Sequence, residues 1–361
     1  KTPRVVSLTG THALNCLYGE NAWQAEAALY STGSDDPLAL PCFTPVEGAA
    51  PSYNNLADVD RLVQALTHIV AAYAKNGFST AQACVALVVK HGNLCGAAVT
   101  DSDPIFALKQ MITGDLIAVH GGVVMVNFVI DEELANLLIH YGMDCEQRRL
   151  LDTICAPSFT PEAVEILRRK KGKCRLMINT ALAEVRTASA LNTTPRVRPV
   201  RGGFLLQDNY TYVLDLVNQR SPVPVVVHGP SLSPEQLFDM LLAWAICATS
   251  NSNTVTLVRD GALLANAVGQ QDRVGAATLA LWRARRGREQ DRTWNLLNTV
   301  AASDSFFPFR DGPAVLVEAG VKTILATSGS VNDQQVIDYC TSNGATLVMV
   351  PDKLARGFFG H

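Results

Sequence analysis

Uninterrupted apolar runs of strand length, separated by stretches with helical periodicity, recur along nearly the whole chain. Val85-Ala86-Leu87-Val88-Val89 is the clearest run. It follows residues 57–75, where Leu62, Val63, Leu66, Ile69 and Val70 fall at helical spacing. A strand that is apolar on both faces must be covered on both. Further strands are expected at 122–128, 174–179, 204–206, 223–228, 254–258, 322–326 and 346–350. Helices are expected at 131–142, 160–171, 233–248, 272–286 and 331–343. Thr160 before Pro161-Glu162, and Ser233 before Pro234-Glu235, read as helix caps. The alternation predicts an α/β fold with mostly covered sheets.

A chain of 361 residues has room for two ordinary domains. The stretch 189–203, rich in Pro, Thr, Arg and Gly, interrupts the rhythm and marks the expected boundary, giving units 1–190 and 191–361. On each side a helix runs into a polar motif beside a strand: Val89-Lys90-His91-Gly92-Asn93 and Ser250-Asn251-Ser252-Asn253. That parallel hints at a duplicated unit.

The net charge is −3, and the densest basic run, Arg168-Arg169-Lys170-Lys171, falls where a helix should end. A solvated helix C-terminus, favourable to the dipole, explains it better than a nucleic-acid patch. No apolar run reaches membrane-span length, and no signal-peptide pattern opens the sequence. The cysteines, Cys16, Cys42, Cys84, Cys95, Cys145, Cys155, Cys174, Cys247 and Cys340, are odd in number and form no CxxC pair. Reduced thiols in the cytoplasm are expected, not a disulfide scaffold or a structural zinc site.

The sharpest polar cluster is Lys90-His91-Gly92-Asn93-Leu94-Cys95-Gly96, after an apolar strand and ending in a glycine turn. Strand ends are where α/β proteins keep active-site residues. A cation beside an imidazole favours the neutral ring that a general base requires. Taken alone, a Lys-His dipeptide is common, and a surface loop is the better account of it.

Context adds to that reading. The segment resembles the K-H-x-N-P-C-G motif of the AICAR transformylases, the transformylase half of the purine-pathway AICAR transformylase/IMP cyclohydrolase. Leu17-Tyr18-Gly19-Glu20-Asn21-Ala22-Trp23-Gln24 is similar to the family's R-Y-G-x-N-P-H-Q, and Pro51-Ser52-Tyr53-Asn54-Asn55 to L-S-Y-N-N. Gly121-Gly122 sits where the family has F-G-G, and Ile154-Cys155-Ala156-Pro157-Ser158-Phe159-Thr160 resembles I-I-A-P-x-F-T. Gly202-Gly203-Phe204-Leu205-Leu206-Gln207-Asp208 resembles G-G-x-L-x-Q-D, Ser252-Asn253-Thr254-Val255 resembles S-N-S-V, and Gly269-Gln270-Gln271-Asp272-Arg273 resembles G-Q-Q-S-R. Ser303-Asp304-Ser305-Phe306-Phe307-Pro308-Phe309-Arg310-Asp311 nearly repeats S-D-A-F-F-P-F-R-D. The matches keep the family's order from about residue 14 to the C-terminus.

The resemblance implies duplicated cytidine-deaminase-like domains with mixed sheets flanked by helices, and active sites shared across a homodimer. It implies catalysis by Lys90, His91 and Asn253. The acceptor would meet Leu17, Tyr18, Trp23, Gly121, Asp152, Arg273, Phe306 and Arg356. The folate co-substrate, 10-formyltetrahydrofolate, would meet Pro308, Phe309, Asp311, Ser328 and Gly329. The deaminase zinc signature is missing, so no metal is expected. Phe307 and Met125 read as core, and Cys95 as a small packing residue. His12, His68, His120, His140 and His228 lack partner spacing.

Two departures stand out. The family's cyclohydrolase domain has no counterpart ahead of the first motif, so ring closure is not expected. The Arg of R-Y-G, which grips an acceptor phosphate, is Leu17; the His of N-P-H-Q is Trp23; and the C-terminal Arg aligns with Gly357, one place from Arg356. Charge-assisted phosphate bonds contribute about 1.5–3 kcal/mol each, so losing two weakens a phosphorylated acceptor roughly a hundredfold to ten-thousandfold. Arg196, Arg198, Arg201 and Lys353 are substitute cations. The expected activity is formyl transfer to an unphosphorylated or more apolar aromatic acceptor. An AICAR transformylase with a rearranged phosphate site, and a folate-binding relative without turnover, are the alternatives.

Overall fold

The computed structural model describes residues 5–144, 147–218, 221–286, 288 and 293–360; Cys145 and His361 lie outside them. Strands β1 (Thr11–Asn15) and β2 (Ala28–Ser31) pair antiparallel near the start. After β3 (Thr44–Glu47) comes the long helix α1 (Tyr53–Lys75). It begins four residues ahead of the expected start, and Leu56 and Val59 extend its buried apolar face. Asn55 N donates to Ser52 Oγ at 3.2 Å and Ser52 N to Asn55 Oδ1 at 3.0 Å, a reciprocal cap that starts the helix. The hairpin β4 (Ala83–Lys90) and β5 (Asn93–Asp101) follows, then α2 (Pro104–Thr113), β6 (Val123–Val126), α3 (Glu132–His140), β7 (Thr153–Ala156), α4 (Pro161–Leu167) and β8 (Arg175–Ile178). The stretch read as a boundary carries a separate exposed pair, β9 (Arg196–Val200) and β10 (Gly203–Gln207). The chain continues through β11 (Val226–His228), α5 (Pro234–Ala248), the hairpin β12 (Val255–Arg259) and β13 (Ala262–Ala267), α6 (Arg273–Arg285), β14 (Val300–Ser303) and α7 (Asp311–Glu318). It closes with β15 (Thr323–Ser328), α8 (Asp333–Ser342), β16 (Thr346–Pro351) and α9 (Asp352–Ala355).

The chain is α/β, built on one mixed 12-stranded sheet in the order β11-β16-β15-β14-β12-β13-β5-β4-β6-β7-β8-β3. The same pattern runs outward from the centre on both sides. The hairpin's second strand is innermost and its first pairs antiparallel with the next strand; two parallel pairings and an antiparallel edge strand complete it. The sides meet where β13 runs antiparallel to β5, with Ala262 opposite Ala98.

Helices cover both faces, which is why β4 reads as one apolar run. Val85, Leu87 and Val89 point to the core shared by α1 and α5, whereas Ala86 and Val88 point to that of α2, α3 and α4. A third cluster lies under α6, α7 and α8 and includes Phe307, 1% exposed. Met125 is likewise buried. Thr160 and Ser233 cap α4 and α5, accepting from Ala163 N at 3.3 Å and Gln236 N at 3.2 Å. Among the described residues, no helix is long and apolar enough to cross a membrane.

Several expectations need correction. Helix α4 stops at Leu167, so the basic run follows the helix; Arg168 pairs with Glu47 at 3.0 Å and Glu165 at 2.7 Å. Gly96 forms no turn. It lies inside β5, where a Cβ would sit 2.2 Å from Met111 O. The turn is His91-Gly92, at φ 54° and 73°. The parallel between residues 89–93 and 250–253 also fails. Lys90–Asn93 closes the β4–β5 hairpin, whose topological counterpart is the β12–β13 turn at 259–262, whereas Ser250–Asn253 links α5 to β12.

Candidate active site

Strand direction gathers the polar motifs on one edge of the sheet. That edge holds the C-terminal ends of β4, β13, β14, β15 and β16 and the N-terminal ends of β6, β7 and β12. In the β14–β15–β16 half these are the carboxyl ends of parallel strands, where open α/β sheets place ligands.

The Lys90–Asn93 turn is held from three directions. Gly92 N donates to Asp58 Oδ1 of α1 at 2.7 Å, which locks the left-handed His91-Gly92 pair. Lys90 Nζ donates to His120 O at 2.7 Å and so lies beside Gly121; a Cβ on that glycine would approach the ammonium to 3.9 Å. Asn93 donates to His91 O at 3.3 Å and accepts from Asn251 N at 3.2 Å, across the centre of the sheet. Asn266 ties the same two segments together, donating to Leu94 O at 3.1 Å and Ser250 Oγ at 3.0 Å. Lys90, His91, Asn93 and Asn266 line a cavity of about 240 Å³, which the Asp115–Arg283 ion pair, 3.2 Å apart, also borders.

Asp152 belongs to this group. Its backbone N donates to Gly122 O at 3.1 Å, and its carboxylate lies 3.7 Å from Arg169. Burial pushes the Asp58 carboxyl up; the Gly92 hydrogen bond and the charges of His91 and Arg61 oppose this, and Asp152 adds to it. His91, Asp58 and Asp152 therefore share one electrostatic neighbourhood. Cys95 is inert there: burial pushes its thiol up to about 12, and Sγ rests 3.7 Å from Val88 O.

A second group surrounds Asp304. This buried carboxylate accepts from Ser252 Oγ at 2.5 Å and Thr254 N at 3.0 Å and pairs with Arg273, whose Nε donates to Phe306 O at 3.1 Å. Asn253 is fixed through Nδ2, which donates to Gln270 O at 2.8 Å. Arg356 lies over the Phe306 ring, 5.8 Å from its centroid. Its guanidinium is committed to Asp352, at 3.0 and 2.9 Å, and to Ser305 Oγ at 2.9 Å.

The remaining residues lie outside the lining of that cavity. Asn332 donates to Pro308 O at 2.8 Å and Gly329 N to Asp333 at 2.7 Å, so the loop after β14 and the loop after β15, with Ser328, meet at α8. Phe309 is 57% exposed, and Asp311 opens α7. Leu17 and Tyr18 lie against the start of α1: Leu17 N donates to Pro51 O and Tyr53 N to Tyr18 O, both at 2.9 Å. Trp23 is 81% exposed. Among the substitute cations, Arg196 stacks over Phe359 at 3.5 Å.

The edge thus carries a cationic group with an imidazole and carboxylates, and a fixed amide with an arginine and aromatic rings. The Asn93 side-chain oxygen, accepting from Asn251 N, joins them; among the described residues, no hydrogen bond or ion pair runs directly from Lys90 or His91 to Asn253, Arg273, Phe306 or Arg356. Sequence reasoning passed over Asp58, Asp304 and Asp352. Asp304 stands inside a quoted motif; Asp58 and Asp352 give no local signal. Among the described residues, no three His, Cys, Asp or Glu side chains are placed to hold a metal ion.

The family described as the AICARFT/IMPCHase bienzyme matches residues 1–283. Two relatives named "Bifunctional purine biosynthesis protein PurH", from Mycobacterium leprae strains Br4923 and TN, are each 34% identical over 335 residues, covering 92% of this chain and 55% of theirs. One of the same name from Mycobacterium ulcerans strain Agy99 is 32% identical, covering 92% and 56%. The chain spans about half the length of these curated relatives.

Proposed function

The chain belongs to the AICARFT/IMPCHase bienzyme family, and from that premise we propose that it is a folate-dependent formyltransferase moving the formyl group of 10-formyltetrahydrofolate to an aromatic acceptor. The acceptor amine attacks the formyl carbon. His91 takes the amine proton, and Lys90 steadies the tetrahedral oxyanion or returns a proton to the departing folate nitrogen. Asn253 adds a neutral dipole. The Phe306 and Phe309 rings stack on the flat partners. The carrying observation is the locked Lys90-His91 turn on the cavity rim, tied by Asn93 to the loop that carries Asn253.

The acceptor in this reading is an unphosphorylated AICAR-like or other aromatic compound. Leu17 offers no side-chain donor to a phosphate, and the Arg356 fork already serves Asp352 and Ser305. The reading includes two cytidine-deaminase-like halves, 1–190 and 191–361, supported by the repeated strand order. It also includes a cytoplasmic homodimer with composite sites, supported by the exposure of Trp23 and Phe309. No metal is assigned. The name of the relatives favours a second reading, AICAR transformylation in purine biosynthesis.

Turnover of AICAR and of its unphosphorylated nucleoside, each with 10-formyltetrahydrofolate, separates the two. Preference for the nucleoside supports the first reading; a micromolar KM for AICAR, lost in Arg356→Ala, supports the second. Turnover of neither, with folate still bound, points to the relative without catalysis.

A further inference from the structure

The two hairpins at the centre of the sheet are tethered by the same device. The sixth residue of α1 is Asp58 and the sixth of α5 is Asp239. Each accepts from the glycine of a left-handed pair at 2.7 Å: Asp58 from Gly92 in His91-Gly92, Asp239 from Gly261 in Asp260-Gly261. One difference separates them. Asp239 spends its second oxygen on Asp260 N at 2.9 Å. Asp58 has no corresponding bond to His91 N among the described residues, which leaves Oδ2 without a hydrogen bond while the carboxylate feels the charge of His91. The β12–β13 turn, at the opposite edge, carries an aspartate where the β4–β5 turn carries the histidine.

We infer that Asp58 is the positioning residue for His91, fixing the ring's orientation through Gly92 and supplying the anion that the imidazolium faces once it has taken the acceptor's proton. The inference rests on His91 being the base. A carboxylate behind a histidine orients the ring and stabilises its charged form without itself changing protonation. The other charged groups at this carboxylate are Arg61, farther along α1, and Asp152, at the start of β7, with Lys90 preceding the histidine in the turn. Arg61 is held elsewhere, donating to Thr249 O and to Phe359 O at 2.7 Å.

Asp58→Asn tests the charge alone, because the amide oxygen still accepts from Gly92; Asp58→Ala removes both parts. With 10-formyltetrahydrofolate and whichever of AICAR or its nucleoside wild type turns over faster, Asp58→Asn should lower kcat about tenfold. Folate KM and melting temperature should stay unchanged, and Asp58→Ala should lose more. Asp239→Asn, the same change in the other hairpin, should keep kcat within about twofold, the scatter of a substitution remote from the chemistry. Equal kcat in Asp58→Asn and wild type, or an equal loss in Asp239→Asn, overturns the assignment. Wild-type turnover in His91→Ala instead overturns the reading of His91 on which it rests.

Discussion

Asn93 Oδ1 accepts the backbone N–H of Asn251 at 3.2 Å, so the turn carrying Lys90 and His91 is clamped to the loop carrying Asn253. The two residues are 158 positions apart in the chain. Because Asn93 also donates to His91 O, one side chain fixes the turn and its distance from the facing loop. Asn93→Ala should cost about 1 kcal/mol of stability by urea unfolding, the usual net worth of such a bond, and should lower turnover more than that loss explains. Asn93→Asp, which keeps the acceptor, should retain more activity than Asn93→Ala.

The Asp304 carboxylate is fully buried and serves Arg273, Ser252 and Thr254 together. Removing one member of a buried pair strands the other. Asp304→Ala should therefore destabilise by about 3–5 kcal/mol in urea unfolding. Arg273→Ala should be comparably severe. A change below about 1 kcal/mol, the scale of exposed pairs, would show that the network is not structural.

Burial pushes the Asp239 carboxyl up to about 6, from 3.8, against the hydrogen bonds from Gly261 and Asp260. The native state thus holds this proton more tightly than the unfolded chain. Its contribution to stability is greatest below about pH 4 and declines as pH rises to about 6. Asp239→Asn removes the decline. From pH 4 to 7 the variant should gain on wild type by about 2–3 kcal/mol in urea unfolding; a difference independent of pH would contradict this.

Arg356 is neutralised by Asp352, and Leu17, 49% exposed, lies against the start of α1 with no side-chain donor. Leu17→Arg should improve use of AICAR relative to its nucleoside, about tenfold for one added charge-assisted bond. Unchanged relative kcat/KM would place the acceptor phosphate elsewhere.

Trp23 and Phe309 stand largely exposed on the single chain. Light scattering should give about twice the 38.8 kDa chain mass. A fully active monomer would remove the composite-site reading.

The sequence shows some elements clearly and hides others for physical reasons. Strand β4 is legible because helices bury both of its faces, so every position is apolar. Its partner β5, Asn-Leu-Cys-Gly-Ala-Ala-Val-Thr-Asp, is equally central but packs through small residues where α2 approaches, as the Gly96 contact shows, and gives no apolar run. Strands β13 and β14, rich in alanine, are hidden in the same way. Lys90 and His91 are legible from their motif. Asp58 is not, because a lone carboxylate on a helix acquires meaning only through a bond to Gly92, 34 residues away. Arg356 suggests a phosphate ligand until Asp352, one helical turn earlier, is seen to hold it.

The most direct test is the turnover of Lys90→Ala and His91→Ala with 10-formyltetrahydrofolate and the acceptor that wild type prefers, alongside folate affinity and melting temperature. The account predicts at least a ~100-fold loss of turnover in each, the usual scale for a lost acid–base group, with folate affinity and melting temperature little changed. Near-normal turnover in either variant would contradict it.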